Sequence, residues 1–472
     1  MGTRGDRWAI ALACLALACV SGRAAPGNLP QPADWVPARW PWSDPASLDL
    51  LSGGPVNCLL VRPFTAEFAS AAAGRGLATL ALVLPADDAP ETTRRALAAG
   101  VTGIALEGDF PEAAIASVRQ AAGGAPVVEL ALRSRMLRNS GAPVAATYQG
   151  VWPGVAVQEN GAMRAGPSGS VWIDTNTGFL RAARASGGAP LWIAQQPPPK
   201  TLVTAGRYLV AIADAAMSGA RWVLALDGDF SARLAARETR ALADWRRMLD
   251  LVRYFERNPE WREMREYGKL ALIQDPAKGG LISGGILDMI AAKNTPARIV
   301  PHERLTPDAL KGASFAVDLD SGALTPAERD ALRDFTRSGG TLLTAPPWWK
   351  DKAPAGNAIT LDKTELGQLN DIFHELNSTV GRGNLGVRLF NASAMLSNFL
   401  ISADGKTAIL HLVNYSDYPV ENITAQFLDD FHHAALLAPG SPERPLDLHR
   451  TNDGWEADID KISVCATIKL ER

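Results

Sequence analysis

Histidine is missing from the first 301 residues of this 472-residue chain; all six lie from His302 onward. The absence excludes from that stretch, taken alone, a histidine-ligated zinc site, a Ser-His-Asp triad and a Cys-His pair, each of which needs an imidazole. Cysteine is nearly as scarce. Of four, Cys14 and Cys19 fall in an N-terminal leader and only Cys58 and Cys465 remain, so no disulfide framework can be argued and the core must hold by packing. Beyond the leader no run reaches the ~18 apolar residues that a membrane span needs. A charge excess is lacking too: 47 basic against 50 acidic residues, net −3 and without long runs of either sign, leave no electrostatic footprint for nucleic acid or an anionic membrane. Neutral or weakly charged ligands are favoured, and no metal site or cofactor is expected. Carboxylates, Arg, Lys, Tyr and backbone groups are what remain for chemistry.

The first 25 residues read as an export signal, with Arg4 and Arg7 ahead of the apolar stretch from Trp8 to Val20 and small residues from Ser21 to Ala25. The mature protein is therefore expected in the periplasm or outside the cell. Cys19, preceded by Leu17-Ala18, offers a lipoprotein anchor as the alternative to simple cleavage.

Residues 26–50 are rich in Pro and Trp, including Arg39-Trp40-Pro41-Trp42, and read as an irregular arm. From Val56 the pattern turns periodic. Eight apolar runs, at 56–61, 77–84, 102–106, 126–130, 144–149, 170–174, 190–194 and 221–226, alternate with helix-like stretches. Among the latter are Thr65 to Gly74, Pro111 to Ala121 and a long one from Ser231 to Arg257. The alternation predicts a (β/α)8 barrel over residues 26–265, with Gly150 to Gly169 as a flap over its mouth. Residues 266–352 read as a small doubly wound α/β unit, with strands at 269–274, 297–301, 314–318 and 341–345. From 353 to 472 short alternating runs predict an antiparallel β-sandwich.

Within the barrel one phrase occurs twice, 120 residues apart: Ala-Leu-Glu-Gly-Asp-Phe at Ala105 to Phe110 and Ala-Leu-Asp-Gly-Asp-Phe at Ala225 to Phe230. Each ends an apolar run with an acid, and 120 residues is five βα units of about 24 residues. Strand parity puts Ala105 with Glu107, and Ala225 with Asp227, on the inward face at the carboxyl end, where barrels keep their chemistry. Asp174 ends a third such run, Val171-Trp172-Ile173-Asp174. Glu107, Asp174 and Asp227 are thus the candidate catalytic carboxylates. Glycoside hydrolysis uses two, about 5–5.5 Å apart for retention or ~6.5–9.5 Å for inversion. Asp109 reads as the N-cap of the following helix, with Asp229 more open to a binding role. Gln149, Trp152, Trp172, Asn176, Gln195 and Gln196 at other strand ends suit a sugar, through stacking on pyranose faces and amide hydrogen bonds to hydroxyls. Core packing competes for the tryptophans, most strongly for Trp192. Capping or pairing with Arg133, Arg181 or Arg184 competes for the acids.

The order of barrel, doubly wound unit and sandwich, with the phrase Leu412-Val413-Asn414-Tyr415-Ser416, resembles the three-domain, trimer-forming bacterial beta-galactosidases and related glycoside hydrolases. The resemblance implies a carbohydrate ligand, a glutamine-amidotransferase-like middle domain and a homo-oligomer. No cysteine lies between Tyr267 and Trp349 to serve amidotransferase chemistry. That family places an Asn-Glu pair at the end of barrel strand four and a second Glu at the end of strand seven. Counted from Val56, strand four ends Val127-Val128-Glu129-Leu130 and strand seven Ala194-Gln195-Gln196-Pro197, so the pair does not transfer as a pair. Two functions follow as expectations: an exported glycoside hydrolase using Asp227 with Asp174 or Glu107, or a barrel with catalysis lost that binds polysaccharide or serves assembly.

Overall fold

A computed structural model describes residues 29–138, 141–152, 155–159, 162–166, 175–275, 285–286, 288–290, 293–319, 324–344, 363–381 and 386–472. Eight parallel strands form one sheet in chain order: β1 (Pro37–Trp40), β2 (Cys58–Val61), β3 (Ala78–Val83), β4 (Gly103–Glu107), β5 (Val127–Ala131), β6 (Ala145–Thr147), β7 (Leu191–Ile193) and β8 (Ala220–Trp222). The ring closes just past β8, where the Arg39 backbone N–H donates to the Leu224 carbonyl at 2.8 Å and the Leu224 N–H donates to the Pro37 carbonyl at 3.2 Å. The fold is the expected (β/α)8 barrel.

Side-chain parity sorts the strands into two faces. Leu60, Leu80, Ala105, Val128, Leu130 and Ala146 point inward and fill the lumen, while Ile104, Leu106, Ala81 and Val83 face the helices. Trp192 is wholly buried in the lumen and meets Trp35 at a centroid distance of 6.1 Å, so the barrel is a packed core rather than a pore. The surrounding helices include α1 (Ala66–Gly74), α2 (Ala89–Ala98), α3 (Glu112–Ala122), α4 (Thr177–Ser186), α5 (Ala205–Met217), α6 (Gly228–Ala235) and α7 (Thr239–Glu256). Thr65 and Asp88 cap α1 and α2, each side chain accepting the backbone N–H three residues on.

Two local expectations need correction, and a third falls outside the described residues. Residues 37–40, read as part of an irregular arm, are β1: two prolines and the inward Arg39 interrupt the apolar run that marks a buried strand. The expected sixth strand at 170–174 lies outside the described residues, and β6 pairs directly with β7. With β1 gained at the start and β6 paired directly with β7, the runs expected as strands one to five are β2 to β6, and those expected as seven and eight keep their places. The long helix foreseen from Ser231 to Arg257 is α6 and α7, broken where Arg237 takes φ 57°, a left-handed conformation that no helix continues through. The flap region contains a hairpin, Val155–Glu159 with Ala162–Gly166, extended in parallel by Thr201–Leu202.

The middle unit is a four-stranded parallel sheet of β9 (Leu270–Gln274), β10 (Ala297–Pro301), β11 (Phe315–Asp318) and β12 (Thr341–Thr344), in the order β10-β9-β11-β12. Its helix α8 (Pro326–Arg337) opens with a reciprocal capping box between Thr325 and Glu328. The C-terminal unit packs two antiparallel sheets around Phe399, Phe427, Phe431, Ile459 and Ile468. Its long strands are Met395–Ile401, Thr407–Asn414, Val420–Phe427, Gly454–Ile462 and Cys465–Glu471. No helix among the described residues is long and apolar enough to cross a membrane.

Asn414 and Tyr415, from the phrase that carries the resemblance, are structural. The fully buried Asn414 amide donates to the carbonyls of Tyr418, Ile462 and Ser463. The Tyr415 hydroxyl donates to Asp214 of α5 at 2.5 Å, tying the sandwich to the barrel.

Candidate ligand site at the barrel mouth

Glu107 ends β4 and, as parity predicts, points inward. Arg39 reaches it from β1, three strands away around the ring, through a two-pronged ion pair of 2.8 and 2.5 Å. Such fork-to-fork geometry is the strongest that Arg and a carboxylate make. The same guanidinium donates to the Ala194 carbonyl at the end of β7 at 3.2 Å, and Gln196, two residues further, donates its amide to Glu107 at 3.1 Å. Side-chain exposure of 13% for Arg39 and 12% for Glu107 places the pair just below the rim. Tyr148, after β6, joins them: burial, then the charges of Asp109 and Glu107, push its hydroxyl above the usual tyrosine range.

Sequence reading missed Arg39, which two prolines and its own charge keep from reading as part of a buried strand. With β1 counted, Glu107 stands at the end of strand four, and Gln195 and Gln196 follow strand seven. One strand end thus holds a carboxylate and the other an amide, and the two touch.

Asp227 follows β8 and caps α6, one oxygen accepting the Phe230 N–H at 3.0 Å and the other the Tyr208 hydroxyl at 2.5 Å. Burial, with the Asp227 charge, raises the Tyr208 hydroxyl far above its ordinary value. Asp229 lies exposed on α6, paired with Arg233 at 2.8 Å. Asp109 does not cap α3, whose N-cap position is Pro111; its side chain is exposed instead, so the capping-box reading is corrected. The N-cap position thus lies two residues past the acid.

Gln149, Asn176 and Trp152 are absorbed into the fold. Gln149 is 1% exposed and accepts the Arg133 backbone N–H at 2.8 Å. The Asn176 side chain accepts from the Val151 N–H at 2.8 Å and donates to the Val151 carbonyl at 2.8 Å. Trp152 is 6% exposed and packs in T-shaped contacts with Trp222 and Tyr208, at 5.3 and 5.7 Å, so it is part of the core. Asp174 and Trp172 lie outside the described residues.

Behind Asn176 is a buried charged network. Asp214 accepts from Thr175, from the Tyr415 hydroxyl and from the Asn176 N–H at 3.1 Å; burial nonetheless raises its carboxyl above the ordinary value. Arg133, stacked 4.2 Å over the Phe179 ring, is brought down to about 10 by burial. Asp288, from the middle unit, accepts the Gly178 N–H at 2.6 Å and is pushed up to about 8, chiefly by burial. Among the described residues no three His, Cys, Asp or Glu side chains gather as metal ligands.

No family model matches this chain, and no curated protein matches it in sequence. Among solved structures it is similar to alpha-L-fucosidase isoenzyme 2 from Paenibacillus thiaminolyticus, at 10% identity and TM-score 0.59 over 93% of this chain and 99% of that one. It is also similar to a beta-galactosidase from Rahnella sp. R3, at 9% identity and TM-score 0.53 over 92% and 100%. The likeness is one of fold: a glycosidase-like barrel with attached α/β and β units.

Proposed function

We propose that this is an exported carbohydrate-binding protein built on a glycosidase-like barrel, with the sugar held at the mouth around Glu107, Arg39, Gln196 and Tyr148. The single observation behind this reading is the Gln196-to-Glu107 hydrogen bond of 3.1 Å, which joins the two strand ends where a hydrolase of the resembling kind holds two acids. With an amide on one of them, the acid-and-nucleophile division of labour has no second carboxyl there. Carboxylate, guanidinium, amide and phenol together are what polyhydroxylated ligands need for paired donation and acceptance.

A second reading keeps hydrolysis and draws its second acid from Asp227, after β8, supported by the engagement of its carboxylate with Tyr208 in a partly buried setting. Incubating the purified full chain with aryl glycosides and oligosaccharides, while measuring affinity by calorimetry, separates the two. The first predicts sugar affinity, weakened by Glu107→Gln, without turnover. Turnover abolished by Asp227→Asn supports the second, and neither affinity nor turnover overturns both. The middle unit is a candidate for self-association, which the same preparation reports by its mass in solution.

A further inference from the structure

A cleft of about 1060 Å³ lies between the start of β7 and β8 and the edge strand β10, at the opposite end of the barrel from Glu107. Its walls carry eight basic side chains against four acidic ones, in a chain whose net charge is −3. Three of the four acids, Asp34, Glu263 and Asp308, are exposed, and the fourth, Glu266, is committed to Arg181 at 2.7 Å. Arg221 and Arg262 share the single carboxylate of Glu256.

The remaining cations make no ion pair among the described residues. Arg184 donates only to the backbone carbonyls of Trp261, Arg262 and Met264, and its Nη1 is buried without a partner. Arg298 donates through Nη1 to the Lys311 carbonyl at 2.8 Å, which leaves Nε and Nη2 buried and unpartnered. Those two atoms form the edge by which Arg181 grips Glu266 and Arg221 grips Glu256 elsewhere in this protein. Arg304, on the rim, makes one bond, to the Ser186 carbonyl. Burial chiefly holds Arg184 below its ordinary value, with the Glu266 charge opposing and the neighbouring Arg181 and Arg262 adding; burial, then Arg265, does the same to Arg298 against Tyr267.

We propose that this cleft binds a small ligand bearing a planar or tetrahedral oxyanion, a carboxylate, sulfate or phosphate, with Arg304 at the entrance and Arg298 as the two-pronged anchor once its covered edge turns into the cleft. An oxyanion meets both needs of the cleft, a partner for an unpaired guanidinium edge and neutralisation of surplus positive charge. A chain-wide charge near zero hides such a site, because the acids that balance the total lie elsewhere. The proposal is independent of sugar binding at the mouth.

The test is calorimetry on the full chain at fixed ionic strength with inorganic phosphate, inorganic sulfate, digalacturonate and, as the uncharged comparison, lactose. At least one oxyanion should bind, and which one does identifies the source of the group. Arg298→Gln should weaken that binding about tenfold, equivalent to ~1.4 kcal/mol. Arg304→Gln, at an exposed position, should weaken it by a smaller factor. Lactose binding should be unchanged by either. No binding by any of the three anions, or binding equally tight in both variants, overturns the proposal.

Discussion

Gln196 and Glu107, 89 residues apart in the chain, are joined by a 3.1 Å hydrogen bond that links the ends of strands seven and four. The carboxylate receives three donors in all, two from Arg39 and one from Gln196. At this contact one acid is thus balanced by one guanidinium, with a neutral amide where a second acid would bring unbalanced charge into a half-buried space.

Replacing Arg39 by Met removes the counter-charge and leaves Glu107 facing the lumen alone. A loss of about 3 kcal/mol is expected, the lower end of what breaking a buried pair costs. Urea denaturation measures it. The double variant Arg39→Met, Glu107→Gln should recover part of that loss, since the orphaned charge goes with it.

Asp227→Ala takes away both the cap of α6 and the acceptor for Tyr208. About 1–2 kcal/mol should be lost, whereas Asp227→Asn, itself a good cap, should cost little. Equal losses in the two variants would show that capping is not what Asp227 supplies to stability.

The pH dependence follows from Asp288. Its folded carboxyl is raised to about 8 from an ordinary 3.8, mainly by burial, with the Asp214 charge adding and Arg133, Arg181 and the Gly178 N–H opposing. Between those values the folded protein keeps a proton that the unfolded chain has released. Its contribution to stability is therefore fully present below pH ~4 and declines as pH rises through 8. Thermal melts of Asp288→Asn, whose side-chain oxygen can still accept from Gly178, should fall less between pH 5 and 9 than those of the parent.

Trp192→Ala opens a cavity in the middle of the lumen, against Trp35. A loss of ~3–5 kcal/mol is expected from an aromatic truncation in a packed core. A change under about 1 kcal/mol would mean that the lumen collapses around the gap.

Much of the architecture was legible because buried parallel strands announce themselves as short apolar runs, and seven of the eight barrel strands do so. Runs such as Ala78–Val83, Leu270–Gln274 and Ala297–Pro301 fall within a residue or two of where they were expected. The inward placement of Glu107 followed from parity alone. β1 was hidden because its inward residue is charged: Arg39 is explained only by Glu107, 68 positions later. Pairings at that separation leave no local pattern. For the same reason the roles of Gln149 and Asn176 could not be read: a buried amide and a ligand-binding amide look alike until their partners are known.

The Tyr415 bond to Asp214 crosses from the last third of the chain into a barrel helix, beneath the surface. A carboxylate sealed inside α5 thus depends on a hydroxyl delivered by the sandwich. Deleting the C-terminal unit would expose apolar surface and also strip a shielded carboxyl of one of its donors, so a barrel excised on its own should be destabilised. Shortened versions should be recovered as aggregate, and work on the mouth calls for the whole polypeptide.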